Sequence, residues 1–507
     1  MSVPAAVEAR SLRDAFGHGY IATTAASQLP PSADGWRKEV IGHLTFAFQD
    51  RTVVATTTGP DSRFHAVLIG NPVDLESASI DPQLIARKAH SSLERGGLDA
   101  FTRYVAYLTG RFTAIAIGPQ EVTVIPDTCA TQMTFWSDSA RTFIVGSHVE
   151  LVAEASAAET DQNAINRLNR LRKLHPGATY YFAGIETAYK DIHPVIANCR
   201  LRWSSTKMVA DHERFYPFDD LDIGNPTGRE FSEFREILDQ NCELLTKFGR
   251  VGISLTAGMD SGSTLRAALP YLSDGSFTFT YLNPKEKLAH FNDIYEANRI
   301  SFDVGIPHRV IRWGKPEPGT LFDAVFSKTW NAVQPSSGAA RAMYDELPRD
   351  FFQLNSILAE VGTVFYTRRS EAPPSPRRLT FLYHGPNVAR EHEYVEQFEQ
   401  FIEYADFRPE TIGGYDYHDL FYWEHRVGRW AAQKPHEGDL GHRVLQPFNS
   451  RRLIETMHRL PYEQRADRAL LKQLYAEDLP RFDPRKILPR NNGAGIANRL
   501  SRIIHGR

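Results

Sequence analysis

From Val40 to Val152 apolar and polar residues alternate in short runs, HLTFAF, TVVATTT, FHAVLIG, GRFTAIAIG, EVTVIPD and RTFIVGS, separated by Gly, Pro, Asp and Ser. A period near two predicts strands, so this stretch is expected to be β-rich. Between Ala155 and Pro217 the pattern loosens into a short helix around NAINRLNRL, a turn at Pro176-Gly177, the strand TYYF and loop-rich sequence ending in RFYPFDD. Asp219 to Gly228 reads as a linker. After it the period changes: EFSEFREILDQNCELLTKF has apolar residues at helical spacing and no internal Gly or Pro. RVGISL, SFTFTYL and HRVIRW then predict strands, with helices at SGSTLRAALPYL and NDIYEANRISFDVG between them. Strand and helix in alternation imply a parallel sheet with right-handed crossovers. Further on, EHEYVEQFEQFIEYA, YHDLFYWEHRVGRWAA, SRRLIETMHRL and ADRALLKQLYAE predict helices. The Pro-rich basic segment Arg368 to Arg378 predicts a mobile surface loop. No internal repeat is visible.

A chain of 507 residues exceeds one ordinary core, so two domains are expected, residues 1–218 and 229–507. Its 42% hydrophobic and 23% charged residues are globular values, and its apolar runs are broken before they reach bilayer-spanning length. The opening MSVPAAVEARSLRDAF lacks a basic start followed by an apolar run, which argues against a secretory signal and leads to the expectation of a cytoplasmic protein. Cys129, Cys199 and Cys242 are widely spaced with no CxxC pair, against a disulfide framework, a zinc site and two-cysteine sulfur transfer. A net charge of -3 supplies no field to gather a polyanion, so nucleic acid is not the expected partner.

The chemistry concentrates at Ile253-Ser-Leu-Thr-Ala-Gly-Met-Asp-Ser-Gly-Ser263, where a predicted strand hands over to a helix. That is where open α/β sheets bind ligands. Thr256 and Ser261 offer hydroxyls, Ala257 and Gly258 allow close backbone approach, and the first-turn amides of the helix point at an anion. Asp260 does not favour a bare phosphate, but it fits one accompanied by Mg2+. There is no GxxxxGK[ST], which weakens kinase and ATPase readings. The plainer alternative is an ordinary turn with Asp260 as the helix N-cap, which leaves the flanking hydroxyls unexplained.

Leu255-Thr-Ala-Gly-Met-Asp-Ser261 resembles the LSGGLDS pyrophosphatase loop of the asparagine synthetase family, with Thr for the first Ser and Ala for the first Gly. Upstream, GRFTAIAIGPQEVTVIPDTCATQMTFW and RTFIVGSHVELVAE look like the second half of that family's glutaminase-type domain, with Asp127 and Ser147 at recurring positions. Members with a working glutaminase carry Cys after the initiator Met, where this sequence has Ser2 and Val3, so a structural role is expected for that domain. The pattern is that of β-lactam synthetases, carbapenam synthetases and lasso-peptide cyclases. The resemblance implies an α/β fold: an N-terminal Ntn-like β-rich domain, then a parallel-sheet ATP-pyrophosphatase domain with a helical C-terminal part.

It also implies roles. Leu255, Thr256, Ala257, Gly258, Asp260 and Ser261 would hold ATP, with Thr280 or Tyr281 presenting backbone to the adenine and Leu255 packing on it. Asp260 and Glu360 would hold Mg2+. Glu360, in Leu354-Asn-Ser-Ile-Leu-Ala-Glu-Val-Gly362, aligns with the family's second pyrophosphate loop, although the glycines before it are missing. Arg443, Pro447 and Phe448 match an ExRxPFLD scaffold segment, and Lys486 matches the lysine that meets the α-phosphate or reacting carbonyl. The alternative for Lys486 is a solvated lysine in a basic tail. Glu424 would help deprotonate an attacking amine, or else be a helix-surface acid paired with Arg426 or Arg429. Asp293 is expected to cap its helix. Arg368 to Arg378 and Asn491 to Gly495 are candidate lids.

The function expected is an AMP-forming amide-bond ligase with ATP and Mg2+ as cofactors and a small-molecule or peptide carboxylate and an amine as partners. Neither nucleic acid nor membrane is expected, and a homodimer is the assembly to test. A nucleotide-binding pseudoenzyme or partner subunit is the alternative, and sulfur or nitrogen transfer to RNA a third.

Overall fold

The computed structural model describes residues 14–58, 63–138, 142–175, 181–219, 221–283, 288–330 and 337–479. It is an α/β protein with three sheets, two antiparallel and one parallel. The first contains β1 (Tyr20–Thr23), β2 (Arg37–Ile41), β3 (Leu44–Phe48), β8 (Phe135–Ser137), β9 (Ile144–Gly146) and β10 (Ile192–Pro194), in the order β10-β8-β9-β1-β3-β2. The second contains β4 (Val54–Thr58), β5 (His65–Val73), β6 (Thr109–Ile117), β7 (Glu121–Pro126), β11 (Cys199–Ser204) and β12 (Val209–Arg214), in the order β12-β11-β7-β6-β5-β4.

The two antiparallel sheets pack face to face through Phe46, Phe48, Ile69, Ile115, Val124, Trp136 and Leu201. The helix Pro82–Ala106 covers the outside of the second sheet through Ile85, Ala89 and Leu93 against Ala114 and Ala116. Val149–Ser156 covers the outside of the first through Val149 and Val152 against Ile21 and Ile144. This layering explains β6. All nine of its residues are buried because both faces are covered, the large Ile115 and Ile117 between the sheets and the small Ala114 and Ala116 under the helix.

The stretch expected to be short strands alone therefore also holds a helix of 25 residues. Asp81 caps it and Pro82 opens it, but its polar composition and a kink at Gly97 (φ 68°) hide its periodicity. The loop-rich sequence before Pro217 holds β10, β11 and β12. Of the expected TYYF strand, Tyr181 and Phe182 are not in a strand and Thr179 and Tyr180 lie outside the described residues, as does the Pro176-Gly177 turn.

The third sheet is parallel: β13 (Val251–Ser254), β14 (Phe277–Leu282), β15 (His308–Arg312), β16 (Phe352–Leu354) and β17 (Arg443–Leu445), in the order β15-β14-β13-β16-β17. Chain order runs outward from β13 on one side, then returns to its other side at β16. The loops leaving β13 and β16 thus diverge, which opens a crevice at their C-terminal ends.

The sheets divide near residues 219–228, but the core does not. One cluster joins Val73, Cys129 and Tyr216 to Phe234, Leu255, Trp423 and Leu471. Across the seam Asp439 accepts from Arg111 Nη1 (2.9 Å) and Arg443 Nη1 (2.9 Å), all three side chains being almost wholly buried. Arg443 also reaches Asn71 and Gln132. Phe448 is buried, and Asn449 Nδ2 donates to Gly110 O and Asp127 Oδ1.

Candidate functional site

β13 ends at Ser254, Leu255 follows, and the helix Met259–Ala268 starts after Gly258, which is its N-cap. The first intrahelical bond runs from Gly262 N to Gly258 O (3.1 Å), so the amides of Met259, Asp260 and Ser261 precede the helical ladder and face the loop's concave side. Asp260 is in the first turn and is not the cap. Gly258 has φ -72° and ψ 145°, which any residue adopts, and a Cβ there would touch only Thr256 Oγ1 at 3.0 Å. Its value is the open space above it.

The side chains of the loop behave differently from expectation. Thr256 Oγ1 accepts from Gly258 N (3.0 Å) and lies 3.2 Å from Ser261 Oγ, which accepts from Thr256 N (3.1 Å) and donates to Gly258 O (3.0 Å). Both hydroxyls brace the loop through bonds to the loop itself. Leu255 has no exposed surface and belongs to the core, so it does not lie open to a base. Thr280 is 2% exposed, and its hydroxyl donates to Leu255 O from below. Asp293 does not cap its helix, Leu288–Val304; its Oδ1 accepts from Ala257 N (3.1 Å), so a carboxylate already meets the loop's backbone.

The turn after β16 carries the second carboxylate. Asn355 anchors it, its Nδ2 donating to Ser254 Oγ (3.4 Å) and its N to Leu445 O (2.9 Å). At the far end a Cβ on Gly362 would come within 2.3 Å of Met457 Sδ, so only glycine lets this turn seat on the helix Arg451–His458. Between these anchors Glu360 points toward Asp260 and accepts from Tyr422 Oη (2.7 Å). Burial pushes the Asp260 carboxyl up to about 6; the guanidinium of Arg468, ion-paired with it, opposes the rise and the charge of Glu360 adds to it. Arg468 has left-handed backbone (φ 60°, ψ 38°), a sparsely populated conformation for a residue with a Cβ. Arg468 thus pairs with Asp260, while Glu360 is held by the Tyr422 hydroxyl.

That donor set fits Mg2+ brought in with a nucleotide, because such an ion takes one or two carboxylates and completes its shell with phosphate oxygens and water. Among the described residues no group of three or more His, Cys, Asp or Glu is arranged to hold a metal ion unaided.

Glu424 lies elsewhere. It sits in the π-helix Tyr422–Ala431 with a side chain that has no exposed surface, and Arg214 grips both its oxygens, Nη1 to Oε1 at 2.6 Å and Nη2 to Oε2 at 2.7 Å. Asn198 Nδ2 donates to Oε1 (3.0 Å). The expected amine-deprotonating carboxylate is instead a buried tie between the two halves of the chain, paired with neither Arg426 nor Arg429. Tyr422, two residues before it, is the member of this segment that reaches the crevice. Arg369 is ion-paired with Asp416 and Asp419, and Arg378 donates to Arg368 O, so the expected Pro-rich lid is pinned and passes at Pro376 into the helix Pro376–His384. Lys486, the segment Asn491 to Gly495, Ser2 and Val3 lie outside the described residues.

Asp127 accepts from the amides of Cys129, Thr131 and Gln132 and holds a turn at the seam. Ser147 Oγ accepts from Tyr20 N (2.9 Å). Sequence reasoning missed Arg468, Tyr422 and Arg214 and expected another role for Asp293; their partners are 36 to 210 residues away in the chain. No local pattern marks such a pair. Among the described residues no helix is long and apolar enough to cross a membrane.

No family model and no curated protein matches this chain. Among solved structures, a glutamine phosphoribosylpyrophosphate amidotransferase from B. subtilis, complexed with ADP and GMP, aligns over 70% of this chain and 73% of its own at 9% identity and a TM-score of 0.25. A structure described as the allosteric regulatory enzyme of purine biosynthesis aligns over 76% of this chain and 74% of its own at 12% identity and the same TM-score. At that score neither likeness bears on the fold or the function of this chain.

Proposed function

We propose that this chain is an ATP-dependent, AMP-forming amide-bond ligase of the asparagine synthetase type, in which residues 1–218 form a glutaminase-type scaffold and residues 229–507 the ATP-pyrophosphatase unit. The observation that carries the reading is the juxtaposition of the Ser254–Ser263 loop with the turn after β16, tied together by Asn355 Nδ2 donating to Ser254 Oγ, at the point where strand order reverses.

On this reading the amides of Met259, Asp260 and Ser261 receive the leaving pyrophosphate at the positive end of their helix. Asp260 and Glu360 would hold Mg2+, whose charge offsets that of the pyrophosphate. A substrate carboxylate oxygen attacks the α-phosphorus, the bond between the α-phosphorus and the bridging oxygen breaks, and pyrophosphate leaves. An amine then attacks the activated carbonyl, loses a proton and releases AMP. Asp293 and Arg468 act before chemistry: one engages Ala257 N and the other Asp260, and both give way as phosphate and cation arrive. The test is ATP–pyrophosphate exchange over a panel of amino acids, β-amino acids and short peptides, with AMP and ADP resolved. Exchange with AMP as product supports the proposal, and ADP as product sinks it.

A second reading, a nucleotide-binding protein without catalysis, is favoured by one observation: Arg468 already neutralises Asp260. ATP binding without exchange under any carboxylate would select it.

A further inference from the structure

Beside the crevice, over the C-terminal ends of β14, β16 and β17, lies a cavity of about 420 Å³. One side is apolar, with Tyr281, Trp313 and Met343; Tyr281 Oη donates to Met343 Sδ (3.3 Å), which steadies that wall. The other side carries Lys434 and Glu437 from the helix Gln433–Gly438, with Asn355 at the edge toward β13. A buried acid and a lysine three residues apart on a helix ordinarily pair with each other. These form no direct ion pair: the Lys434 ammonium lies 4.4 Å over the Trp430 ring, and Glu437 Oε1 accepts an amide bond from Gln433 (3.2 Å).

Charging a group inside a cavity is costly, and a ligand of opposite charge offsets that cost. Burial pushes Glu437 up to about 8 and pulls Lys434 down, each group's neighbours only partly offsetting that effect. The two ends of the cavity are also distinguishable. Lys434 lies on the Trp430 ring, and Arg426 bridges that ring to Phe365, which stacks on Tyr422 beside Glu360, so the Lys434 end is the one toward the crevice.

We propose that this cavity binds a zwitterionic amino acid with an apolar side chain, its carboxylate on Lys434, its ammonium on Glu437 and its side chain against Tyr281, Trp313 and Met343. The orientation turns the carboxylate toward Asp260 and Glu360, so the inference rests on the proposed ligase reaction for its meaning but not for its test. Lys434 serves here as a binding group for the carboxylate before activation.

The experiment is calorimetric titration of the full chain, without nucleotide, with L-leucine, L-methionine and L-phenylalanine, and with 3-phenylpropionate and 2-phenylethylamine as ligands lacking one charge. At least one amino acid binds, and Lys434→Met and Glu437→Gln each weaken it about tenfold or more, the effect of one charge-assisted contact. Each variant loses discrimination only against the analogue that lacks the matching charge. Trp313→Ala keeps both charges and weakens phenylalanine, so the proposal stays testable if an isosteric variant fails to fold. No binding by any of the three amino acids, or wild-type affinity in both charge variants, overturns it. Binding as described without pyrophosphate exchange leaves the pocket standing and removes the ligase. Exchange driven by another carboxylate with an unchanged KM in both variants does the reverse.

Discussion

Replacing Glu424 by Gln tests whether that carboxylate is a structural tie or a catalytic group. Gln keeps the volume and the bond from Asn198 but removes the charge opposite Arg214, whose side chain is 5% exposed. Burial pulls the Arg214 guanidinium down, and the Glu424 carboxylate more than reverses this, so Arg214 is held charged. Breaking a buried pair from one side costs about 3–5 kcal/mol, because the remaining ion is left without compensation. Arg214 keeps bonds to the carbonyls of Ala405, Asp406 and Tyr216, which points to the lower end, about 3 kcal/mol. In a chain of this size that lowers Tm by about 3 °C. Arg214→Met alone should do similar damage, and the double variant should regain about 2 kcal/mol, since removing both charges leaves neither unpaired. Thermal melts and urea midpoints of the four proteins, read by tryptophan fluorescence, measure this cycle. A Glu424→Gln protein with wild-type midpoints and no AMP formation would refute the assignment and restore Glu424 to the chemistry.

Asp260, pushed up to about 6 by burial, is charged only above that pH, so Mg-ATP affinity should rise as pH increases through about 6. Asp260→Asn should bind weakly with a flat profile, seen in fluorescent-nucleotide titrations between about pH 5 and pH 8. His148 is pulled down to about 3, first by burial and then by Arg111, and so stays neutral in the folded protein while the unfolded chain takes up a proton below about 6.5. Its contribution is present above that pH and lost as pH falls toward 3, up to about 2 kcal/mol by pH 5; the urea midpoint should fall between pH 7 and pH 5, and less steeply in His148→Asn. Gly362→Ala must displace Met457 and with it the Glu360 turn, for a cost of about 1–3 kcal/mol; a melt together with nucleotide titration shows whether stability and binding fall together, and an unchanged protein would contradict the seating described.

Unlike β8, the strands β3 to β7 and β9, the helix Glu230–Thr246 and the strand-helix alternation after it were legible from their short apolar runs bounded by turn residues or their helical spacing. The loop at Ser254 to Ser263 was legible for the same reason: a strand end, small residues and a helix start are contiguous in the chain. β16 and β17 were not, since three-residue strands carry no period, and their places beside β13 come only from pairing across the sheet. The long helix Pro82–Ala106 escaped because its large buried residues, Ile85, Leu93, Phe101 and Val105, are spread over 25 mostly polar residues and its regular spacing is broken by the kink at Gly97.

Side-chain roles divide along the same line. That Thr256, Asp260 and Ser261 stand at a strand-to-helix turn follows from the sequence alone. The engagement of Asp260 by Arg468 and the withdrawal of Glu424 from the crevice by Arg214 depend on partners from distant segments. A buried charge or hydroxyl bonds to whatever donor or acceptor the fold delivers within about 3 Å, and that neighbour is a property of the folded chain that no local spacing encodes.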